Sequence, residues 1–363
     1  NGTVVTDWYV NPDDSLDETF LLTANAGIET AHYSFTDSLQ TGNPLEVTSS
    51  SDYGEVNGVW VAQGAQIGTS SGTGVSDSFL RVAHQGNDTF QEGYNTDFRP
   101  VEYDENTDAN FTDSILLADI PIRFGSDIDI DGNGIADLPD GQFYELRLDL
   151  NQNNSNHFIS LEALSLYLGT EPNLTSFNSQ YDSGTGFLED KDVLVYNMDG
   201  VNPDRTAKND EEIYVILNAL ESGSGDADYV FYIDKTYFDS ALDSVVNPED
   251  YEYFYLYSAF GGDIYQDEVR GHTTYTLTKD AEKADADGKF DGVNDSLEES
   301  AGETVSVDTN SNFEEWNVIK EPKITIAGEK FVDLDADGEK DAGEGDVEVG
   351  QSFTIELYRW TDG

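Results

Sequence analysis

Apolar and polar residues alternate with a period of two along much of the chain, the pattern of half-buried β-strands. In FYELRLDL, Leu146, Leu148 and Leu150 point one way, and Glu145, Arg147 and Asp149 the other. In EIYVILNA, Ile213, Val215 and Leu217 share a face. In EYFYLYS, Phe254 and Leu256 oppose Tyr253, Tyr255 and Tyr257. In SFTIELYRW, Phe353, Ile355 and Leu357 alternate with Thr354, Glu356 and Tyr358. Further strands are predicted at VVTDWYV, TFLLT, NGVWVAQ, FLRVAH, SILLADIPIRF, VLVYNM, YVFYI and KITIAGEKF, which are rich in β-branched and aromatic residues. Helix is invited in two places. SLEALSLYL reads equally as a strand, and the other place is the neighbourhood of Lys279 to Lys283. Many short strands punctuated by Gly, Asn and Asp predict an all-β fold of antiparallel β-sandwich domains, jelly-roll or immunoglobulin-like.

Composition shifts divide the chain. Residues 1–56 read as an N-terminal β segment followed by a linker, with Ser, Thr, Gly and Asp concentrated over 36–56. Residues 57–319 read as the main sandwich, carrying a polar acidic insertion near 280–312. After Glu321-Pro322 a fresh strand opens a third part, 322–363.

Charge narrows the function. The 363 residues include 74 Asp and Glu against 17 Lys and Arg, a net charge of −57. Nucleic acid and anionic membranes are recognised through clustered Lys and Arg, so neither is an expected partner. Wholesale disorder is not expected either, because 12% of the residues are aromatic. No apolar run approaches the ~20 residues needed to span a bilayer. The chain contains no cysteine, which excludes disulfides, thiolate metal sites and cysteine nucleophiles. Self-repulsion on this scale is relieved by screening salt or by bound divalent cations. Screening salt predicts a marine or halophilic setting, bound cations predict calcium sites, and both are expected to act together. The chain opens directly on strand-like sequence and is read as a mature protein or an excised piece.

The acidic residues are arranged in loops with metal-ligand spacing. In DLDADGEKDAGE, Asp333, Asp335 and Asp337 stand at positions 1, 3 and 5 of a twelve-residue calcium loop. Gly338 permits the turn, Glu339 offers its carbonyl, Asp341 stands at position 9 and Glu344 closes the loop as a chelating carboxylate. In DIDGNGIADLPD, Asp129, Asp131, Asn133, the Ile135 carbonyl, Asp137 and Asp140 fill the same places. Asp127 lies in position for a shifted register. In DGKFDGVNDSLE, the set is Asp287, Asp291, the Val293 carbonyl, Asp295 and Glu298; Lys289 has the wrong sign at position 3, and Asp285 is its substitute. The expected cofactor is Ca2+, two or three ions. Even three ions bring six positive charges against a deficit of 57, so high ionic strength is still needed. A solvated turn is the alternative for each loop.

Two stretches resemble known modules. Residues 323–358 are similar to the start of an SdrD B-like domain of bacterial surface proteins. Gly328, Lys330, Phe331, the loop at 333–344 and Ile355 to Leu357 carry the likeness. Gly350-Gln351-Ser352 replaces the usual Gly-Val pair. The resemblance implies an immunoglobulin-like, calcium-stiffened stalk repeat of an exported protein. The chain stops before such a sandwich would be complete, so its missing strands come from a longer polypeptide or from another chain. The middle, about 57–319, resembles a β-rich module of large secreted bacterial proteins through GYNTDFRPVEYDENTDANFTDSILLADIPI, FYELRLDLNQ, YFYLYSAFG and FEEW. That likeness implies export and no particular activity.

Catalytic signatures are missing from the sequence. His32, His84, His157 and His272 share no motif, and GTSSGTG at 68–74 lacks the lysine of a phosphate-binding loop. No enzyme activity is expected; a hydrolase is the third reading, for which 74 carboxylates give no way to pick a catalytic pair. The favoured reading is a calcium-stabilised structural or adhesive surface protein, extracellular or on a prokaryotic cell surface, as a stalk, surface-layer or filament subunit. Its expected partners are neighbouring copies or domains, joined by edge-strand addition through Val4–Val10 or Phe353–Trp360. A surface glycan is a further expected partner. The alternative is a carbohydrate-binding module, for which Trp8, Trp60, Trp316 and Trp360 are the residues to inspect. Asn87, Asn110, Asn153, Asn173 and Asn294 stand in glycosylation sequons, mostly expected by chance in so Asn-rich a chain.

Overall fold

The computed structural model describes residues 44–320, apart from 50–51, 64–75, 84–87, 131–132, 153–155, 180–185, 188–190, 203–205, 207–212, 220–226, 266–267, 282–298 and 311–312. The N-terminal strands predicted before residue 44, the centre of the acidic insertion and the whole of 322–363 lie outside the described residues.

In chain order the strands are β1 (Leu45–Val47), β2 (Tyr53–Val56), β3 (Val59–Gln63), β4 (Ser76–Val82), β5 (Phe90–Tyr94), β6 (Ile115–Leu116) and β7 (Ile122–Phe124). There follow β8 (Gln142–Leu150), β9 (Phe158–Gly169), β10 (Phe177–Asn178), β11 (Gly186–Phe187), β12 (Asp192–Asn197), β13 (Val215–Asn218) and β14 (Tyr229–Asp234). After the helix α1 (Lys235–Leu242) come β15 (Tyr253–Gly261), β16 (Asp263–Tyr265), β17 (Glu268–Arg270), β18 (Thr274–Thr276), β19 (Thr304–Ser306) and β20 (Glu314–Ile319). Residues 45–56, placed with the linker from their composition, supply β1 and β2.

Two seven-stranded sheets form an all-β sandwich. One runs β1-β13-β9-β15-β5, with β12 beside β9 and β6 beside β15. The other runs β2-β3-β14-β8-β20-β4, with β7 beside β8. The pairings within both are antiparallel except β1 with β13. The leucines of β8 face those of β9 across the interior: Leu146, Leu148 and Leu150 share a core with Leu164, Leu166 and Leu168. Each such side chain contributes roughly 1.5–3 kcal/mol on burial. Trp316 of β20 is fully buried, and its indole N–H donates to Ser258 Oγ of β15 at 3.0 Å, tying sheet to sheet.

SLEALSLYL is strand, the centre of β9. Both of its faces are buried, so it lacks the polar alternation that marks a half-exposed strand. The helix lies elsewhere. Asp234 caps α1 by accepting the Thr236 N–H at 2.8 Å. Phe238 of α1 packs against Tyr144 at 4.6 Å and Phe254 at 6.2 Å, at the edge of the inter-sheet core.

The outer faces of the sandwich are roofed. Phe177 of β10 and Phe187 of β11 cover Tyr94, Tyr167, Tyr255 and Tyr257 on the first sheet. Next to them, β18 and β19 bring Leu277 and Val307 onto Phe158, Tyr214 and Ile216. Buried Glu46 clasps that flap by accepting from Tyr275 OH, Thr278 N–H and Thr278 Oγ1. On the second sheet, Ile128, Ile130 and Leu138 of the 125–141 segment lie on Ala62, Phe143, Val230 and Tyr232.

Candidate functional site

The loop at 129–140 is the sequence-predicted metal loop that the structure describes, apart from Asp131 and Gly132. Its position follows from its apolar residues. Ile128, Ile130 and Leu138 are buried on the outer face of the second sheet, while the residues from Asn133 to Ala136 project into solvent. The base is drawn tight where Gly125 N–H donates to Gly141 O at 3.0 Å. Gly125 also lies so close to the Pro139 carbonyl that a Cβ there would meet its oxygen at 1.9 Å.

Hydrogen bonds inside the loop fix two carboxylates. Asp129 accepts the Asn133 N–H at 3.0 Å on one oxygen and the Gly134 N–H at 2.7 Å on the other. Asn133 Oδ1 accepts the Ile135 N–H at 2.8 Å, and Gly134 takes the left-handed conformation at φ +83°. Asp137 turns inward. It accepts the Ile130 N–H at 2.6 Å and the Tyr53 hydroxyl at 3.1 Å, and its own N–H donates to Ile128 O. Tyr53 in turn packs beside half-buried Trp60 at 6.3 Å.

The donor set suits a hard cation: carboxylates, an amide oxygen and the Ile135 carbonyl, all oxygen. A carboxylate offers about four lone-pair sites, and Asp129 accepts two N–H groups in the bonds just described. Among the described residues no group of three or more acidic or histidine side chains converges to hold a metal ion. Asp140 is exposed at the end of the loop. Asp287, Asp291, Val293, Asp295 and Glu298 lie outside the described residues, as do Asp333, Asp335, Asp337, Glu339, Asp341 and Glu344.

Among the described residues, the tyrosines of the first sheet's outer face are buried rather than exposed. Tyr94, Tyr255 and Tyr257 are at most 1% exposed. Their hydroxyls are consumed inside the fold, on Glu102, the Glu171 carbonyl and Glu92 at 2.5–2.6 Å. Burial, with the neighbouring Glu102, pushes the Tyr94 phenol far above its ordinary range. Trp316 is core and Trp60 is half-buried, while Trp8 and Trp360 lie outside the described residues. The two described histidines are packed: His157 bonds Asn218 at 2.5 Å, and His272 bonds Glu162 at 2.9 Å and stacks on Tyr214. Of the sequons, Asn110 and Asn173 are exposed.

Sequence reasoning missed a buried carboxyl. Glu314 is 1% exposed and accepts the Asn151 N–H at 2.9 Å and the Gln152 amide at 2.8 Å. Burial, reinforced by nearby Asp149, pushes it up to about 8. The signal was in the register, since Glu314 is in phase with core-facing Trp316 and Val318.

Among the described residues no helix is long and apolar enough to cross a membrane. Comparison with protein-family models, curated proteins and solved structures finds no match for this chain.

Proposed function

We propose that this chain is a non-catalytic structural or adhesive component of a prokaryotic cell surface, a β-sandwich module whose loops are stiffened by calcium. The observation that carries the reading is the loop at 129–140. Its apolar residues strap it to the sandwich, and its Asp129 carboxylate is held in place by the loop's own N–H groups. Asp129, Asp131, Asn133, the Ile135 carbonyl and Asp137 would hold the ion there, with Asp140 at the end of the loop. Calcium supplies positive charge to a loop that carries four aspartates within twelve residues, and so fixes the loop. The resemblance of 323–358 to a calcium-stiffened stalk repeat and the charge of −57 support the same setting outside the cell. The burial of the tyrosine face supports a structural role over sugar binding.

Calorimetric titration of the full chain with calcium, in seawater-like salt, tests this. Two or three ions are expected per chain. Asp129→Asn removes one of them and leaves the far-ultraviolet spectrum unchanged. Identical titrations for the two proteins would remove the 129–140 loop from the account.

A further inference from the structure

The turn that leaves β9, residues 170–176, is pinned on both sides of one exposed asparagine. Before it, the Pro172 carbonyl accepts the Asp97 N–H at 2.9 Å. After it, the Leu174 N–H donates to the Tyr255 hydroxyl at 3.1 Å, and the Leu174 side chain is buried in the tyrosine cluster. Tyr255 in turn donates to the Glu171 carbonyl at 2.5 Å. Asn173 stands at the tip of this turn, and among the described residues its amide makes no hydrogen bond. Asn173-Leu174-Thr175 is a glycosylation sequon, which demands a hydroxyl two residues after the asparagine. Thr175 is half-exposed, so that hydroxyl is within reach of an enzyme. It spends its proton on Glu102 at 2.7 Å and keeps its lone pairs for an incoming donor. The other described sequon is closed. The Asn110 amide nitrogen donates to Asp108 at 2.7 Å. Thr112 is fully buried, its hydroxyl accepting the Arg81 N–H at 3.2 Å and donating to the Arg81 carbonyl at 3.3 Å. Asn87, Asn153 and Asn294 lie outside the described residues.

We propose that Asn173 is a site of N-linked glycosylation, modified on the folded chain. The co-substrate is a lipid-phosphate-linked oligosaccharide. Asn173 Nδ2 forms a bond to the anomeric carbon of its first sugar, and the bond from that carbon to the phosphate oxygen breaks. The lipid phosphate leaves with the electron pair, and one amide proton passes to a base of the transferase. The fold selects Asn173 over Asn110 because the folded chain presents both the amide and the hydroxyl of the first sequon and buries the hydroxyl of the second. The glycan projects into solvent from a turn whose backbone is already fixed. The inference rests on the reading of this chain as exported, where such acceptors occur, and does not involve calcium.

Peptide mapping by mass spectrometry of the full chain, isolated from its own cells and from the medium around them, tests this. Cleavage after Glu162 separates Asn173 from the sequon at Asn153, and electron-transfer fragmentation places any added mass on one residue. The expected result is a sugar increment on Asn173 and none on Asn110. Expressed in the same cells, Asn173→Gln and Thr175→Ala should each lose the increment entirely, while Thr175→Ser keeps it. All three variants should retain the far-ultraviolet spectrum of the parent chain. A bare Asn173 in chain recovered outside the cell would overturn the proposal and leave the surface reading standing. Chain found only inside the cell would overturn both. An increment that survives Thr175→Ala, or one carried equally by Asn110, would overturn the assignment of a sequon selected by the fold.

Discussion

Replacing Glu314 by glutamine should stabilise the protein, and by an amount that grows with pH. In the folded state the carboxyl keeps its proton until about pH 8, against 4.5 for the ordinary value. Below pH 4.5 both states hold the proton and nothing is lost. Between 4.5 and 8 the folded state binds a proton that the unfolded state has released, so stability falls as pH rises, by about 1.4 kcal/mol per unit. Over this window the loss is on the order of 5 kcal/mol, and above pH 8 it is complete. Glutamine is nearly the same shape and never ionises. Its cost is one amide facing a donor, about 1–2 kcal/mol. The Gln152 carbonyl oxygen reduces that cost, because it has no other hydrogen-bond partner and can accept once the amide turns over. Urea unfolding of both proteins at pH 5, 6, 7 and 8.5 in constant high salt, followed by the fluorescence of buried Trp316, reads the difference. Glu105, pushed up to about 7 by burial, and Asp113, at about 6, titrate in the same window. They do so in both proteins and cancel. The expected difference is small at pH 5 and reaches at least about 2 kcal/mol in favour of glutamine at pH 8.5. A difference that does not change with pH would refute the assignment of Glu314 as a buried carboxyl that titrates late.

Two further substitutions probe the roof and the loop. Phe177→Ala strips the cover from Tyr94, Tyr167 and Tyr257; it should cost about 3–5 kcal/mol in urea unfolding and admit quenchers to the tyrosines. Gly125→Ala pushes a methyl into the Pro139 carbonyl; it should cost about 1–3 kcal/mol and weaken calcium binding at 129–140, read by the same calorimetric titration, while leaving the sandwich intact.

What the sequence disclosed and what it hid have physical reasons. The alternation in β8 and β15 was plain because the two faces differ in chemistry: leucines or phenylalanines inward, charges or tyrosines outward. It did not reveal that the outward face is also buried, because the covering residues, Phe177 and Phe187, come from short pairs remote from β15 in sequence. The strand β9 was ambiguous for the related reason that burial on both faces erases alternation. Helix α1 escaped notice because it has eight residues, with Phe238 and Ala241 alone buried, too few to set a helical period. Asp234 was the available cue, as an N-cap directly after a strand. The acidic loop was legible in its spacing, whereas its attachment through Ile128, Ile130 and Leu138 depends on a sheet face that only the assembled fold creates. Glu314 looked like one more surface acid in FEEW, and only its phase with Trp316 marked it as inward.

On the proposed reading, calcium holds the native loops in place. A metal bound only by the folded state raises its stability by mass action, by about 2.7 kcal/mol at a hundredfold excess over Kd. Thermal unfolding of the full chain in seawater-like salt, first with excess calcium and then with chelator, measures this directly. The account predicts a melting temperature several degrees higher with calcium and restoration of that shift when calcium is returned after chelation. Superimposed transitions under the two conditions would contradict it, and would leave the acidic loops as solvated turns in a salt-adapted sandwich.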